Sequence, residues 1–349
     1  MNIYINGRFL LQKCTGVERF AYNMCKALAD SKHDATIIIP KNGVINDCYD
    51  VSQFNIVRFG IGSSHVWEQL ILPFYFIGRK DYILLSFTGL GSIFVPNKVM
   101  TIHDLSFLEN RKWFSAAYYY YYKFMTPLAV KTSKHIITVS RFSKSEILRF
   151  YKFIKSEKIS VVYNAADSTF FSQEGKETGN YILAVSSIDP RKNFAQLIKS
   201  FENIRNCTLK IVGAQNRVFN NSNNIRQCQD NIEYLGRVTD KELVGLYNGA
   251  KAFIFPSLYE GFGLPPIEAM MCGCPVLVSD IPVLHEICQD AAIYFNPTDA
   301  TSISTAINAM LSKSDEERNS IIRKGFENAE RFSWQKSVEN LINTLQKVE

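Results

Sequence analysis

Two glutamates, Glu260 and Glu268, stand eight residues apart around a loop rich in glycine and proline. An apolar run, Ala252–Phe255, is typical of a buried strand, and a helix is predicted from about Pro265 to Cys272, with Gly273 as its C-terminal cap. The loop between them leaves free backbone N–H groups at the positive end of a helix, which favours an anion. Two carboxylates beside an anion site suit a ligand with both phosphate and hydroxyl groups. A nucleotide-sugar fits that description better than a bare nucleotide or a free sugar.

The same stretch resembles the Glu-x7-Glu signature of the retaining glycosyltransferases of family 4. Gly-Phe-Gly-Leu-Pro stands between the two glutamates, and Glu268 is followed by Ala-Met-Met-Cys-Gly-Cys-Pro. The spacing of two glutamates alone is a chance match in most proteins, whereas the enclosed and following residues make it specific. The alternative is a turn punctuated by glycine and proline that carries two solvated glutamates. The resemblance implies an α/β protein of the GT-B fold, in which two Rossmann-like domains with doubly wound parallel sheets face a cleft.

A second candidate site is the run Asp189-Pro-Arg-Lys-Asn193, which follows the first strand of the second half. Doubly wound sheets bind ligands at the carboxyl ends of their strands. A guanidinium and an ammonium group there would bind a diphosphate and stabilise it as it leaves. The run resembles the Arg-Lys-Asn motif of the family, which implies this role for Arg191 and Lys192. The alternative is an exposed basic turn that caps the following helix.

Further donor contacts rest on the resemblance alone. The segment Tyr234–Val238 resembles the one whose backbone contacts the nucleobase, and Ile211-Val-Gly213 resembles the neighbouring strand end. The simpler interpretation of both is a strand that ends at a glycine. The resemblance implies that Glu268 binds ribose hydroxyls and that Glu260 binds sugar hydroxyls. The implied donor site also includes Gly16, Arg237, Val238, Gly261, Phe262, Gly263 and Leu264.

In the first half, His103 follows a predicted strand and precedes Asp104. The family places such a histidine beside the transferred sugar, where it helps to stabilise oxocarbenium character. A purely structural histidine is the alternative. Gly16 opens a predicted helix and resembles the glycine loop that approaches the donor phosphate and the acceptor, and the loop Gly89-Leu-Gly91 is a candidate wall of the acceptor site. The resemblance therefore implies four catalytic residues: His103, Arg191, Lys192 and Glu260.

The elements that must position these residues alternate between apolar strands and helices, which predicts parallel, doubly wound sheets. The predicted strands lie at 3–5, 35–39, 55–59, 82–85, 99–102, 135–139, 159–163, 181–185, 208–212, 232–235, 252–255, 275–278 and 292–295. The main helical patterns lie at about 17–30, 67–77, 113–131, 142–153, 265–272 and 314–331, followed by a last helix to the terminus. Residues 164–180 break this rhythm and are the best linker candidate. We expect an acceptor-binding domain at 1–165, a donor-binding domain at 166–331, and a segment at 332–349 whose helix packs back on the first domain.

Composition describes an ordinary globular chain of 349 residues, with 46% hydrophobic and 21% charged residues. The amino terminus does not have the pattern of a signal peptide, and no apolar stretch is long enough to span a membrane. The eight cysteines form no Cys-x-x-Cys pair, so we expect reduced thiols rather than disulfides or a zinc site. No Asp-x-Asp motif offers a plausible metal site. We therefore expect a cytoplasmic protein that needs neither a metal nor another cofactor.

Residues 111–160 hold eleven basic and two acidic residues, a surplus of nine positive charges in a chain whose net charge is +6. The same segment carries Trp113-Phe, Tyr118–Tyr122 and Phe124-Met. Tyrosine with lysine suits a membrane interface, and a basic surface attracts anionic headgroups. A large core helix with an ordinary solvated face is an equal alternative, and base stacking on RNA is a third. We expect no nucleic-acid partner, because such a module would make no use of the second domain.

Three further segments, Trp67-Glu-Gln-Leu, His103-Asp-Leu-Ser and Arg141-Phe-Ser, are similar to bacterial mannosyl- and rhamnosyltransferases of surface-polysaccharide (O-antigen or capsule) assembly. This similarity implies transfer of a hexose, with mannose from GDP-mannose as the best candidate, to a saccharide or lipid-linked saccharide. The protein would then work in the cytoplasm, on the inner face of the membrane if it binds lipid. A sugar-nucleotide epimerase and an inactive binding scaffold are the alternatives. The chain departs from the family at His285, where proline is common, and in Asn164-Ala-Ala-Asp, where a glycine is usual.

Overall fold

The chain forms two compact units in a computed structural model that describes residues 2–173, 175, 177–187, 189–213 and 230–348. The first unit comprises Met1–Ala165 together with Ser333–Glu349, and the second comprises Ala166–Phe332. The last segment therefore belongs to the first unit, where its Trp334 ring lies 5.8 Å from that of Phe20. The proposed linker at 164–180 contains no helix or strand among its described residues.

Each unit is built on one parallel sheet. The first has the strand order β3-β2-β1-β4-β5-β6-β7 and the second the order β10-β9-β8-β11-β12-β13. Both are the doubly wound order in which the crossover direction reverses beside the first strand. The strands are β1 Asn2–Asn6, β2 Ala35–Ile39, β3 Asn55–Arg58, β4 Tyr82–Ser86, β5 Lys98–Ile102, β6 His135–Thr138, β7 Ile159–Val161, β8 Tyr181–Val185, β9 Thr208–Val212, β10 Ile232–Gly236, β11 Ala252–Phe255, β12 Val276–Ser279 and β13 Ala292–Phe295. The predicted strands all occur, with ends within two residues of those expected.

The helices connect these strands and cover the faces of the sheets. They are α1 Gly16–Asp30, α2 Ser64–Val66, α3 Ser106–Glu109, α4 Ala116–Thr132, α5 Arg141–Phe150, α6 Phe194–Ser200, α7 Asp240–Gly249, α8 Leu264–Met271, α9 Pro282–Cys288, α10 Ala300–Leu311, α11 Asp315–Ala329 and α12 Trp334–Gln346. The central strands are mostly apolar because a parallel sheet is buried on both faces. Strands β4, β11 and β12, for example, are buried along their whole length.

The predicted helix at 67–77 is wrong in detail. The chain forms the short helix α2, then a π-helical turn at Trp67–Ile71 and a 3₁₀ turn at Leu72–Phe76. Pro73 lies in the first turn of the 3₁₀ segment and has no backbone N–H to continue the α-helical ladder. The indole of Trp67 donates a hydrogen bond to the Phe59 carbonyl at 2.9 Å and is fully buried. The irregular turn therefore buries the large side chain of Trp67 beside the segment that carries Phe59.

Candidate active site

Helix α8 begins and ends at glycines that its geometry requires. Gly263 precedes it with φ +96°, and a Cβ there would lie 2.8 Å from Cδ2 of Leu284. At the other end, Gly273 has φ +69°, its N–H bonds the carbonyl of Met270, and the N–H of Cys274 bonds that of Ala269. These two bonds form a Schellman cap. The predicted helix and its glycine cap are therefore confirmed to within one residue.

Glu260 lies just before this helix and is ion-paired inside the second unit. Its Oε1 is 2.5 Å from Nζ of Lys192 and its Oε2 is 3.7 Å from Nη1 of Arg191. Burial alone would raise the pKa of this carboxyl, but the charges of Lys192 and Arg191 outweigh burial, and the pKa is lowered below its ordinary value. The carboxylate is therefore ionised at neutral pH although it is only 7% exposed.

The two cations are held by their own loop, a 3₁₀ turn at Pro190–Lys192 after β8. The side chain of Asp189 accepts a hydrogen bond from the backbone N–H of Arg191 at 3.0 Å. The backbone carbonyl of Arg191 accepts in turn from the N–H of Leu258 at 2.9 Å, which ties this loop to the one after β11. Lys192 is only 12% exposed, so the alternative of an exposed basic turn is wrong.

Asn193 joins three segments of the second unit. Its backbone has φ +59°, in the left-handed region that asparagine tolerates. Its side-chain amide donates to the carbonyls of Pro256 at 3.1 Å and Pro297 at 2.7 Å, and the side chain is buried. One amide thus spaces the loops after β8, β11 and β13. It explains why an Asn follows the two cations at this place in the sequence.

Glu268 lies inside helix α8 and has a neutral partner. The phenol of Tyr247 donates a hydrogen bond to its Oε2 at 3.2 Å, and both side chains are buried. Burial, and then the charge of Glu268, raises the pKa of Tyr247 well above its ordinary value, so the phenol keeps its proton. The alternative of two solvated glutamates is therefore wrong for Glu260 and Glu268 alike, since each is 7% exposed.

The chain after β9 approaches the chain after β8 too closely for a side chain at Gly213. Gly213 has φ +152°, and a Cβ there would lie 1.8 Å from the carbonyl oxygen of Ser186. Its N–H donates to the carbonyl of Gly236 at 2.8 Å. Arg237, which is exposed, and Val238, which is half-buried, follow at the end of β10. These glycines therefore bring main-chain groups to the edge of the sheet where doubly wound folds bind ligands.

A pocket of about 330 Å³ opens in the first unit at the carboxyl ends of its strands. His103 and Asp104, which follow β5, line it together with Thr15 and Val17 at the start of α1. The loop residue Gly89 lines it as well. Gly16 lies between two of these lining residues, and a Cβ added there would have no neighbouring atom within 4 Å. Sequence reasoning thus located three of the segments that line this pocket, at Gly16, Gly89 and His103.

His103 has a defined tautomer. Its Nε2 lies 2.8 Å from the carbonyl oxygen of Phe87, and because a carbonyl only accepts, Nε2 carries the hydrogen. Burial lowers the pKa of the ring, against smaller opposing effects of the Phe87 carbonyl and the charge of Asp104. The Asp104 carboxylate accepts from the backbone and hydroxyl of Ser106 at 2.9 and 2.6 Å. A neutral ring with hydrogen on Nε2 presents Nδ1 as a hydrogen-bond acceptor.

A buried polar cluster that sequence reasoning missed reaches the wall of the same pocket through Arg8 and His65. Glu68 is fully buried; its Oε1 accepts from Nδ2 of Asn6 at 2.6 Å and lies 3.9 Å from Nε of Arg8. His65 Nδ1 lies 3.5 Å from the other carboxylate oxygen. A Cβ at Gly89 would be 2.5 Å from Nη2 of Arg8, so the glycine makes room for the guanidinium. The available signal was Glu68 itself, a charged residue next to Trp67 in a segment that is otherwise mostly apolar.

The seven described cysteines are free thiols, and Cys228 lies outside the described residues. Burial raises the pKa of Cys274 and Cys288, the latter to about 12. Within the described ranges, no helix has the length and apolar character needed to cross a bilayer.

Comparison with known proteins assigns both halves of the chain. Residues 14–170 match the model named Glycosyltransferase Family 4, and residues 166–328 match Glycosyl transferases group 1. The O-antigen chain mannosyltransferase RfbU of Salmonella typhimurium is 37% identical over 227 residues, which are 60% of this chain and 60% of that protein. The O-antigen chain mannosyltransferase B of Escherichia coli is 29% identical over 293 residues, 76% of this chain and 74% of its own.

Solved structures agree on the fold. HepE of Anabaena, in a complex with UDP and glucose, superposes with a TM-score of 0.77 at 17% identity and covers 99% of this chain and 100% of its own. At that identity the likeness concerns the architecture alone, which is GT-B. The predicted α/β class with two Rossmann-like units is confirmed.

Proposed function

Because this chain belongs to the glycosyltransferases of family 4, we propose that it is a retaining hexosyltransferase that moves mannose from GDP-mannose to a saccharide or lipid-linked saccharide of a bacterial surface polysaccharide. The named activities of the Salmonella and Escherichia coli relatives, which are O-antigen chain mannosyltransferases, support the sugar and the pathway. The observation that carries the proposal is the cluster of Arg191, Lys192 and Glu260 at the entrance to helix α8. It combines cations for a diphosphate with a carboxylate for hydroxyl groups.

The donor is assigned to the second unit. Lys192 and Arg191 bind the diphosphate, for which they exchange their present carboxylate partner. Glu260 and the backbone of Gly261–Leu264 then bind sugar hydroxyls, and Glu268 binds the ribose. Tyr247 supports this role because its phenol fixes Oε2 of Glu268. The strand ends at Gly213 and Gly236, with Arg237 and Val238 beside them, supply main-chain groups to the nucleobase.

The transfer step breaks the bond between the anomeric carbon and the phosphate oxygen. The acceptor hydroxyl forms its new bond on the same face, and its proton passes to the departing phosphate oxygen. Arg191 and Lys192 stabilise the charge that develops on the leaving diphosphate, and a metal ion is not required for that task. We therefore expect transfer in the presence of EDTA, and a product with the anomeric configuration of the donor. Both are measured directly, the second by NMR of the product.

The pocket of the first unit is assigned to substrate hydroxyls and the acceptor. Nδ1 of the neutral His103 accepts a hydrogen bond from a sugar hydroxyl, since its Nε2–H is already used by Phe87. Arg8 and Gly89 form part of the acceptor wall, and Gly16 lets substrate approach the start of α1. The neutral state of His103 excludes a general-acid role at neutral pH, so its contribution is to hold and polarise a hydroxyl group.

We also infer that the protein works in the cytoplasm at the inner face of the membrane. Helix α4 combines both sequence interpretations: Thr126, Ala129 and Val130 are buried, whereas Tyr120 and Phe124 are exposed. Arg111 lies 5.2 Å from the ring of Tyr120, so cations accompany the exposed aromatic side chains. An interface of this composition suits anionic headgroups, and a lipid-linked acceptor would be found there.

A donor screen followed by a transfer assay tests the proposal. GDP-mannose should raise the melting temperature in a saturable way, and more than UDP-glucose or a dTDP-sugar. Radiolabelled mannose should then pass to a lipid-linked saccharide extracted from a bacterium that makes O-antigen. An altered free nucleotide-sugar without acceptor would instead identify an epimerase. Donor binding with neither product would favour an inactive scaffold, and the absence of binding by any of these donors would reject the assignment.

A further inference from the structure

A groove of about 570 Å³ in the first unit has no place in the transfer reaction. Five lysines line it, and the one carboxylate among its lining residues is that of Glu157. The lysines come from three separate parts of the unit: the end of α4, the loop between α5 and β7, and the end of α12. They are Lys131, Lys134, Lys155, Lys158 and Lys347. Folding therefore gathers charges that are up to 216 positions apart in the sequence, between 131 and 347.

The groove has a fixed floor. Nζ of Lys158 donates to the backbone carbonyl of Lys131 at 3.4 Å, which holds the loop beside the end of α4. His135 Nε2 lies 2.9 Å from the hydroxyl of Ser160 and is buried beneath the lysines. Burial, followed by the charges of Lys144, Lys158 and Lys347, lowers the pKa of this histidine to about 4. The floor of the groove is therefore a neutral ring in a positive field.

Helix ends explain only part of this arrangement. Lys131 in the last turn of α4 and Lys347 after α12 favour the negative ends of those helices. Lys134, Lys155 and Lys158 lie outside both helices. None of the five lysines forms an ion pair with another residue that the structure describes. Like charges collected without ion-pair partners repel one another, and a bound anion would relieve that repulsion.

An apolar stripe on α4 leads to the groove. Tyr120, Phe124 and Leu128 are spaced four residues apart, so they share one face of the helix, and they are 46%, 66% and 46% exposed. Lys131 continues the same face, and its Nζ lies 5.0 Å from the ring of Phe153, which is 50% exposed. Exposed apolar side chains beside cations suit a bilayer surface, where rings enter among the headgroups and ammonium groups meet phosphates.

We propose that the lysine groove, formed by Lys131, Lys134, Lys155, Lys158 and Lys347, binds the phosphate headgroup of an anionic phospholipid while the α4 stripe contacts the bilayer. This inference rests on the membrane association proposed above and deepens it, because it assigns the lipid contact to one groove rather than to the whole basic segment. It makes no demand on the donor site of the second unit. A groove variant should therefore keep transfer to a water-soluble acceptor.

Vesicle sedimentation of the full-length protein tests the groove. The probes are vesicles of phosphatidylcholine mixed with phosphatidylglycerol, with pure phosphatidylcholine for comparison. The groove variant is Lys134→Ala with Lys155→Ala, two exposed side chains whose loss should not affect folding. The matched control, Lys112→Ala with Lys152→Ala, removes the same charge from exposed positions of the basic segment outside the groove. We expect roughly thirtyfold weaker binding to the anionic vesicles for the groove variant, from about a fivefold contribution per lysine near the surface, and little change for the control.

Three outcomes would overturn the proposal, and they are distinguishable. Equal losses of vesicle binding in the groove variant and the control would show that the attraction is spread over the basic segment. The groove would then be rejected as the lipid site, while membrane association would stand. No sedimentation of the unmodified protein would reject membrane association as well. If inorganic phosphate raised the melting temperature of the unmodified protein but not of the groove variant, and vesicles did not bind, the ligand would be a free phosphate. Transfer to a soluble acceptor, measured in parallel, reports on the glycosyltransferase proposal independently.

Discussion

Glu260 in the second unit and Glu68 in the first are both buried carboxylates beside an arginine, yet they are stabilised differently. Glu260 has an ammonium nitrogen at 2.5 Å and a guanidinium nitrogen at 3.7 Å. Glu68 has an amide nitrogen at 2.6 Å, and its nearest guanidinium nitrogen is at 3.9 Å. The first is held by charge and the second mainly by a hydrogen bond. Two buried carboxylates that each lie near an arginine can therefore be stabilised by different interactions.

The surroundings of Glu260 and Glu68 also differ in the groups that they could offer to a ligand. The cations beside Glu260 follow one another in a short loop and can turn together toward a diphosphate. Around Glu68, Asn6 and Arg8 belong to the start of the chain, and His65 to a helix turn. Those groups fix the shape of a pocket wall. We infer that the second unit supplies the reactive charges and that the first supplies a preformed acceptor surface.

The largest effect should come from removing the ammonium group. Lys192→Ala should lower the transfer rate by about 10²–10³-fold, as loss of one group that stabilises a leaving charge commonly does. The matched control is Lys199→Ala, an exposed lysine on the following helix α6. Initial rates with saturating donor measure the effect. Equal rates for both variants would remove Lys192 from the reaction.

Neutral replacement of each glutamate tests the comparison itself. Glu260→Gln should destabilise the protein by about 3 kcal/mol, because it leaves two poorly solvated cations without their counter-charge. Glu68→Gln should cost less than about 1 kcal/mol, since its amide oxygen still accepts from Asn6. Denaturant unfolding of both variants gives the two values. Similar losses would mean that Glu68 too is stabilised by charge.

Acid should affect the two units at different pH values. The pKa of His135 in the first unit is lowered to about 4 from 6.5, so the unfolded chain takes up its proton first, and stability is lost as pH falls between these values. The lowered pKa of Glu260 gives stability that is present above 4.5 and is lost as pH falls through the folded-state value.

His135→Gln should therefore remove about 2 kcal/mol of the stability change between pH 6.5 and pH 4. Glu260→Gln should leave the stability change between pH 6.5 and pH 5 unaltered, and its stability should differ least from that of the parent protein at the lowest pH. Thermal melts across the range measure both. A His135 variant with the pH profile of the parent protein would contradict the assignment.

Tyr247→Phe should have a smaller effect than Lys192→Ala or Glu260→Gln. The substitution keeps the ring and removes the hydrogen bond to Glu268, which should cost about 1 kcal/mol of stability. It should also weaken GDP-mannose binding by a few fold if Glu268 binds the ribose. The melting temperature with and without GDP-mannose separates the two effects. An unchanged donor shift would leave Glu268 with a structural role only.

The sequence predicted the second unit's site better than the first unit's, for a physical reason. Glu260, Glu268, Gly263 and Gly273 lie within one short segment, where strand, turn and helix caps impose residue types at fixed spacing. The buried cluster of Arg8 and Glu68 is assembled from distant segments, and the π-helical turn that places Glu68 has no regular periodicity. Lys192 and Glu260, 68 positions apart and in contact in the structure, were placed in one donor site only through the resemblance.

The buried thiols of the second unit can report how often this unit unfolds. Cys274 and Cys288 are excluded from solvent, and their raised pKa values leave little thiolate at neutral pH. A thiol reagent can then label them only when the surrounding structure unfolds, and peptide mass spectrometry can follow each sulfur separately. A nucleotide-sugar that binds only the folded unit should slow that labelling in proportion to its occupancy. The labelling rates of these two cysteines would therefore measure how often this unit unfolds and which ligand slows that unfolding.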